Sequence, residues 1–453
     1  MSEQPGNTKL WQKQSGLHPK VEAFTIGNDA EHDLKLARYD VLGSIAHAIM
    51  LGEIGILDRQ EVRQLRDELA RIHTVIEKGE FAIEEGVEDV HSQIEIMLTR
   101  ALGDTGKKIH TARSRNDQVL VDLKLYLRAE IREMIRGMEQ IIDTFLELSE
   151  RYKEVLMPGY THMQVAMPSS FGLWFGAYAE SLTDDLLSAE AAFRYANRNP
   201  LGSAAGYGSS FPVDRQLTSD LLGFDGPHVN VVNTQLSRGK SEQLTAQAMA
   251  NAASTLGKMA MDVCQFMSQN FGFMSFPEQL TTGSSIMPHK RNPDVFELLR
   301  GRCNRIRSLP TAISMLLTNL PSGYHRELQL MKEELFPAIE SLKECLDIVP
   351  FMFDHVEIRE NILDDPVYNN IYSVEKVNEL VRGGMAFRDA YQEVARMIAN
   401  GEFIPDREAP LSHSHLGSIG NPGTEQIRER CKRLIGQFEF EKIERYEREL
   451  LEQ

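Results

Sequence analysis

The chain has 453 residues, 42% of them hydrophobic and 25% charged, and a net charge of −17. That acidity excludes the basic footprint a nucleic-acid binder needs, and no stretch approaches the roughly 18 consecutive apolar residues of a membrane span. The four cysteines, Cys264, Cys303, Cys345 and Cys431, lie far apart without a CxxC pair; neither a disulfide framework nor a zinc site is indicated, and a reducing, cytoplasmic setting is expected.

At roughly 150 residues per domain, the length suggests about three domains. Met1 to Lys20 is polar and lacks the apolar core of a signal peptide. Helical periodicity dominates the rest of the chain, and the expected fold class is all-α. An N-terminal helical domain is expected over residues 1–111, and a central domain of long helices over 112–363. The first rod runs from Ser114 to Tyr152, with Leu120, Leu123, Leu127, Ile131, Met134, Met138, Ile141, Phe145, Leu148 and Tyr152 spaced by 3 or 4 throughout. At 1.5 Å per residue it spans roughly 58 Å. A helix that long is rarely stable alone, so it reads as one rod of a bundle. Further rods are expected over Phe171–Asn197, Ser241–Asn270, Pro293–Asn319 and Glu327–His355, with Pro310 and Pro337 kinking or breaking the last two. Turn-rich segments separate them at Met157–Ser170, Asn199–Asp214, Phe276–Pro293 and Leu320–Tyr324. A small C-terminal helical domain is expected over 364–453, with a loop at Asp406–Gly423. Strand signals are scarce.

Three of the connecting segments carry chemistry. In Thr111-Ala-Arg-Ser-Arg-Asn-Asp-Gln118, Ser114 and Asp117 form a capping box. The helix N-terminus behind it presents free N–H groups to a carboxylate or phosphate, and Arg113, Arg115 and Asn116 add donors. Taken alone, the same residues describe any well-capped helix. In Gly159-Tyr-Thr-His-Met-Gln164, His162 sits in a turn, where a histidine is most often simply solvated. In Gly283-Ser-Ser-Ile-Met-Pro-His-Lys-Arg-Asn-Pro-Asp294, small residues give a mobile loop and Lys290 and Arg291 supply charge. Asn292 is expected to cap a helix with Pro293 at its first position. Serine hydroxyls beside two cations can act as nucleophile or base.

Together these segments resemble the fumarase/aspartase superfamily, whose loop GSSxMPxKxNP stands intact here. TARSRNDQ and GYTHMQ are similar to the argininosuccinate lyase family within it. So are Pro200-Leu-Gly202 through Phe211-Pro-Val-Asp-Arg215, and Gly384-Met-Ala-Phe-Arg388. The resemblance runs from about Asp33 to about Ala399. It is weaker at the N-terminus, where Leu10-Trp11 is followed by Gln-Lys-Gln.

The resemblance implies anti β-elimination of fumarate from a small-molecule succinyl substrate, without metal or cofactor. A base takes a Cβ proton, the carbanion spreads into the adjacent carboxylate as a dianion, and nitrogen leaves Cα. By position, Ser284 and His162 match the catalytic serine and histidine, and Glu297 the histidine's carboxylate partner. Lys290 and Asn292 match residues that hold the dianion. Ser114, Asn116 and Thr161 match contacts to the fumaryl carboxylates, and Asp33 and Asp89 match acids near the amino-acid end. Arg115 adds charge at the first segment. Sequence does not decide whether Ser284 or His162 takes the carbon proton; Ser284 is favoured. The family builds each site from three chains of a homotetramer.

The leaving-group side departs from the family pattern. Ser237-Arg-Gly-Lys240 keeps Arg238 but lacks two acids, and Tyr324-His-Arg-Glu-Leu-Gln-Leu-Met-Lys332 keeps Tyr324, Gln329 and Lys332 but has Leu330-Met331 for an acidic pair. Loss of acids weakens recognition of a guanidinium by direct Coulomb loss. His289 in the loop is common in adenylosuccinate lyases, which makes that activity one alternative. A non-catalytic, crystallin-like homologue is the other. His413-Ser-His415 has too few ligands nearby for a metal site, and glycine-rich Gly202–Gly208 follows no strand, so it is no dinucleotide fingerprint.

Overall fold

In the computed structural model, which describes residues 18–407, 411 and 413–452, five long helices form the centre. The leader-free reading of residues 1–17 and the Leu10-Trp11 departure lie outside the described residues. The rods span Arg115–Arg151, Phe171–Ala196, Lys240–Met267, Asp294–Leu316 and Met331–Phe353. Each packs on the next, and the fifth returns to the first, which closes the bundle. The apolar seam read from spacing is the buried face of the first rod, from Leu120 to Leu148. Each such side chain contributes about 1.5–3 kcal/mol by leaving water. Phe353 joins four rod ends: its ring centroid lies 4.9 Å from Phe145, 5.7 Å from Phe175 and 5.8 Å from Phe296.

Of the two outcomes expected for Pro310 and Pro337, a break does not occur: both helices run on through their prolines. Ile306, Leu309 and Ile313 are buried on both sides of Pro310, as are Leu335, Phe336 and Ile339 around Pro337. Packing on both flanks outweighs the roughly 3 kcal/mol cost of the imino acid.

The turn-rich segment at Met157–Ser170 is instead an antiparallel hairpin, Leu156–Thr161 with Gln164–Ser170, irregular between Pro158 and Tyr160. Pro158, Gly159 and Pro168 conceal it, because proline and glycine argue against a strand except at edges and bulges. A second pair, Met274–Ser275 with Glu357–Ile358, is two residues long.

N-terminal to the rods, Ala37–Glu53 is buried along most of its length against the first rod. Arg59–Glu77 and Val90–Leu102 pack beside it. At the C-terminus, Thr424–Ile435 returns onto the second rod and Phe440–Glu452 onto Ala37–Glu53. Ahead of both, Ser373–Arg382 and Phe387–Ala399 enclose their own small core of Val377, Ala390 and Val394. Among the described residues, no helix is long and apolar enough to cross a membrane.

Candidate active site

The first rod begins as its sequence predicts. Ser114 is extended, its Oγ accepts from Asn116 N at 3.3 Å, and Asp117 Oδ1 accepts from Ser114 N at 2.9 Å. Beside this cap lies a cavity of about 260 Å³ lined by Asp33, Asp89, Arg115 and Asn116 from the N-terminal half. Arg238, Tyr324, Gln329 and Lys332 complete the wall.

Most charges in this cavity are paired in advance. Lys332 is buried, with Nζ 2.5 Å from both Asp29 and Asp33. Arg238 lies over the Tyr324 ring, 5.3 Å from its centroid. Gln329 donates to the carbonyls of Thr25 and Ile26 at 3.3 Å. Asp89 caps Val90–Leu102 by accepting from Ser92 N at 2.7 Å, and Arg115 Nε is 3.5 Å away. Burial pushes the Asp89 carboxyl up, but Arg115, His91 and Ser92 outweigh it and hold it below the usual range.

Sequence reasoning missed Asp29, Glu88 and Arg326, which also line the cavity. Asp29 lies one turn before Asp33 on a five-residue helix, so i,i+4 spacing was the available signal. These residues bear on the acids missing from Ser237–Lys240 and Leu330–Met331. Acidic side chains do face the cavity, but they are Asp29, Asp33, Glu88 and Asp89, from segments near the N-terminus.

Beneath the cavity His91 Nδ1 lies 3.0 Å from Asp40 Oδ1 and 3.3 Å from Asp122 Oδ2, all three buried. Burial works against ionised Asp40, yet the His91 charge and hydrogen bond, Arg113 and Gln118 hold it at about 2. Burial and the Asp40 charge drive Asp122 well above the usual range. The two carboxyls are thus pushed in opposite directions. Among the described residues this is the one group whose spacing a metal could bridge. Asp40 Oδ1 already receives both His91 and Gln118, the latter at 2.6 Å, so the group reads as a charge junction between three helices. His413 pairs with Glu375 at 2.8 Å.

The remaining predicted residues lie at the other end of the bundle. Ser284 is half-buried in its loop, and its Oγ accepts from Ile286 N at 3.3 Å and Met287 N at 3.2 Å. Exposed Lys290 donates to Asn292 Oδ1 at 2.7 Å. Asn292 does not cap the next helix, which starts at Asp294 after Pro293. Its amide is spent instead on Gly283 O and Thr282 Oγ1, which closes the base of the loop. Thr161 and His162 are exposed at the hairpin tip, where His162 and Met163 have φ of 52° and 59°. Two successive positive φ values are what a tight two-residue hairpin turn requires, usually from Asn-Gly. Here they cost roughly 1–3 kcal/mol each. Glu297 is exposed on the first turn of the fourth rod, and among the described residues no ion pair joins it to His162. The expected histidine–carboxylate partners are therefore not brought together by one copy.

Asn116 is the second residue of the 37-residue first rod and the hairpin follows its far end. The two groups of residues are therefore separated by on the order of 50 Å.

A family model described as lyase matches residues 17–308. The argininosuccinate lyase of Parabacteroides distasonis is 56% identical over 443 residues, covering 98% of this chain and 99% of the relative. That of Thermotoga neapolitana is 39% identical over 390 residues, covering 85% and 97%. Two solved structures share the fold: an EDDS lyase in complex with formate (TM-score 0.72, 20% identity, 95% and 94% covered) and a fumarate lyase:delta crystallin from Brucella melitensis (TM-score 0.71, 17% identity, 90% and 92% covered). The rods and the charged cavity at their end thus define a lyase. Within that class, the chain belongs to the argininosuccinate lyase family.

Proposed function

We propose that this chain cleaves argininosuccinate to arginine and fumarate by anti β-elimination, in the cytoplasm and as a homotetramer. The observation that carries the reading is the division of one reaction's residues between two ends of the same rods. The cavity end holds donors for carboxylates and acids for a cationic leaving group. The hairpin end holds a serine, a histidine and a lysine with nothing of the chain's own to act on. Antiparallel association of rods would bring the end of one copy over the cavity of another.

In this reading the Ser114 cap and Asn116, with Thr161 from another copy, hold the fumaryl carboxylates. Ser284 takes the Cβ proton, and the electron pair moves into the adjacent carboxylate. Lys290 and Asn292 stabilise the dianion, the costly species, in a site closed to water. The Cα–N bond then breaks and its electron pair leaves with the guanidino nitrogen. His162 manages the remaining proton, with Glu297 of another copy to orient it and raise its basicity. Asp29, Asp33, Glu88 and Asp89 face the amino-acid end. This acidic wall disfavours a nucleotide phosphate and so the adenylosuccinate reading. Incubation of purified protein with argininosuccinate and, separately, adenylosuccinate should release fumarate from the first only. Turnover of adenylosuccinate alone would overturn the proposal, and no turnover of either would favour a crystallin-like role.

A further inference from the structure

We propose that Asp117 is a positioning residue: its carboxylate fills a backbone anion nest in the Gly202–Gly208 loop and so fixes Asn116 and the Ser114 cap in the geometry that receives a substrate carboxylate. The effect on turnover rests on the function proposed above; the nest itself does not.

The glycine-rich stretch left without a role by its sequence has positive φ at every second residue: Gly202 at 82°, Ala204 at 51°, Gly206 at 105° and Gly208 at 83°. That alternation turns successive N–H groups to one side and makes a concavity for an anion. Its anion is internal. Gly202 N and Ala204 N donate to Asp117 Oδ2 at 3.0 and 2.8 Å. A capping box uses only the other oxygen, which takes Ser114 N. The second oxygen is spent on a segment 85 and 87 residues away.

Ala204 holds a backbone conformation that alanine rarely adopts, and its N–H bond to Asp117 is what retains it there. The loop has no slack. A Cβ on Gly206 would lie 2.6 Å from the Gln235 side chain, and one on Gly202 2.8 Å from that of Arg215. Ala205 O, next in the loop, accepts from Asn116 Nδ2 at 3.3 Å, and Asn116 lines the cavity. Asp117 therefore grips from below both the residue beside it and the cap three residues before it. Burial pushes its carboxyl up to about 6, against the N–H groups of Ser114, Ala204 and Gly202 and the nearby Arg113. Arg215 faces it from the loop's far side.

The test is Asp117→Ala in the full-length assembled protein, with sodium formate as a replacement anion. Two readouts are followed: kcat and KM for argininosuccinate, and chymotrypsin cleavage after exposed Tyr207. The variant should lose roughly 10²-fold in kcat/KM, the scale of a small misplacement of reacting groups, and be cleaved faster. Formate should restore part of the rate and slow cleavage, while leaving wild type unstimulated. Wild-type kinetics in the variant, or a loss that formate changes in neither readout, overturns the proposal. Should Asp117→Ala fail to assemble, Asp117→Asn decides. Whichever way its amide faces, one N–H meets a backbone N–H, so kcat/KM should fall without formate rescue; an unchanged rate overturns the proposal. Cleavage needs no substrate, so failure of the nest and failure of the assigned reaction are read separately.

Discussion

Two lysines show how differently the ends of the bundle are built. Lys332 is buried between Asp29 and Asp33, in a cavity where Arg115 also pairs with Asp89 and Arg326 with Glu88. Lys290 lies in solvent and donates to Asn292 in its own loop. The first end is held by ion pairs within one chain. At the second end, the exposed serine loop, hairpin tip and Glu297 have geometry but no enclosure. A side chain that works only in a low-dielectric site gains its strength from whatever covers it, so in the proposed tetramer the second end is where a further copy of the chain would matter most.

The largest expected effect sharpens this contrast from the chemical side. Ser284→Ala should lower kcat by roughly 10²–10⁴-fold, the range for loss of a positioned acid–base group, while the elution position in size-exclusion chromatography stays that of the wild type. Undiminished turnover would remove Ser284 from the mechanism. Next is Lys332→Met, which leaves Asp29 and Asp33 facing each other in a buried site. It should destabilise the fold by about 3–5 kcal/mol, read as a lower urea midpoint; a shift below about 1 kcal/mol would mean the cavity end is not preorganised by its ion pairs.

Acid should affect the cavity end next. Asp40 is held at about 2, below its ordinary 3.8. A depressed carboxyl stabilises the fold above its unfolded value and loses that contribution as pH falls through the folded one. About 2 kcal/mol should therefore vanish between roughly pH 4 and pH 2, and Asp40→Asn should flatten that part of the pH–stability curve. Asp122, raised by burial and by Asp40, works in the opposite sense: its contribution is present in acid and lost as pH rises. The smallest stability change belongs to the hairpin end. Glu297→Gln should alter stability by no more than about 0.5 kcal/mol, as for surface sites, while slowing turnover. A stability loss as large as that of Lys332→Met would erase the distinction between the ends.

The rods were legible because a period of 3 or 4 sustained over tens of residues has one reading, and their ends fall within a few residues of the caps that mark them. Pro310 and Pro337 left a break open because local propensity says nothing of the buried neighbours that override it. The hairpin was hidden by its own prolines, though the turn at His162 was not. In the candidate site, Ser114, Asn116 and the Ser284 loop stood out through capping and loop chemistry and through family resemblance. Asp29 did not, since its helix is too short to show a period. The Asp40–His91–Asp122 junction was invisible for a different reason: His91 and Asp40 are 51 residues apart, and nothing local marks such a contact.

The first rod has a consequence for how such a chain can change length. It carries the Ser114 cap at one end and leads into the His162 hairpin at the other, without interruption. Inserting one residue in its middle would turn everything beyond by about 100° and move it about 1.5 Å. The buried seam would be thrown out of phase with the other rods, and the hairpin would no longer reach its place. Even two full turns, which nearly restore the phase, would shift the far end by about 10 Å. Length variation among chains of this design should therefore collect in the loops and termini, and the rod itself should behave as a fixed ruler.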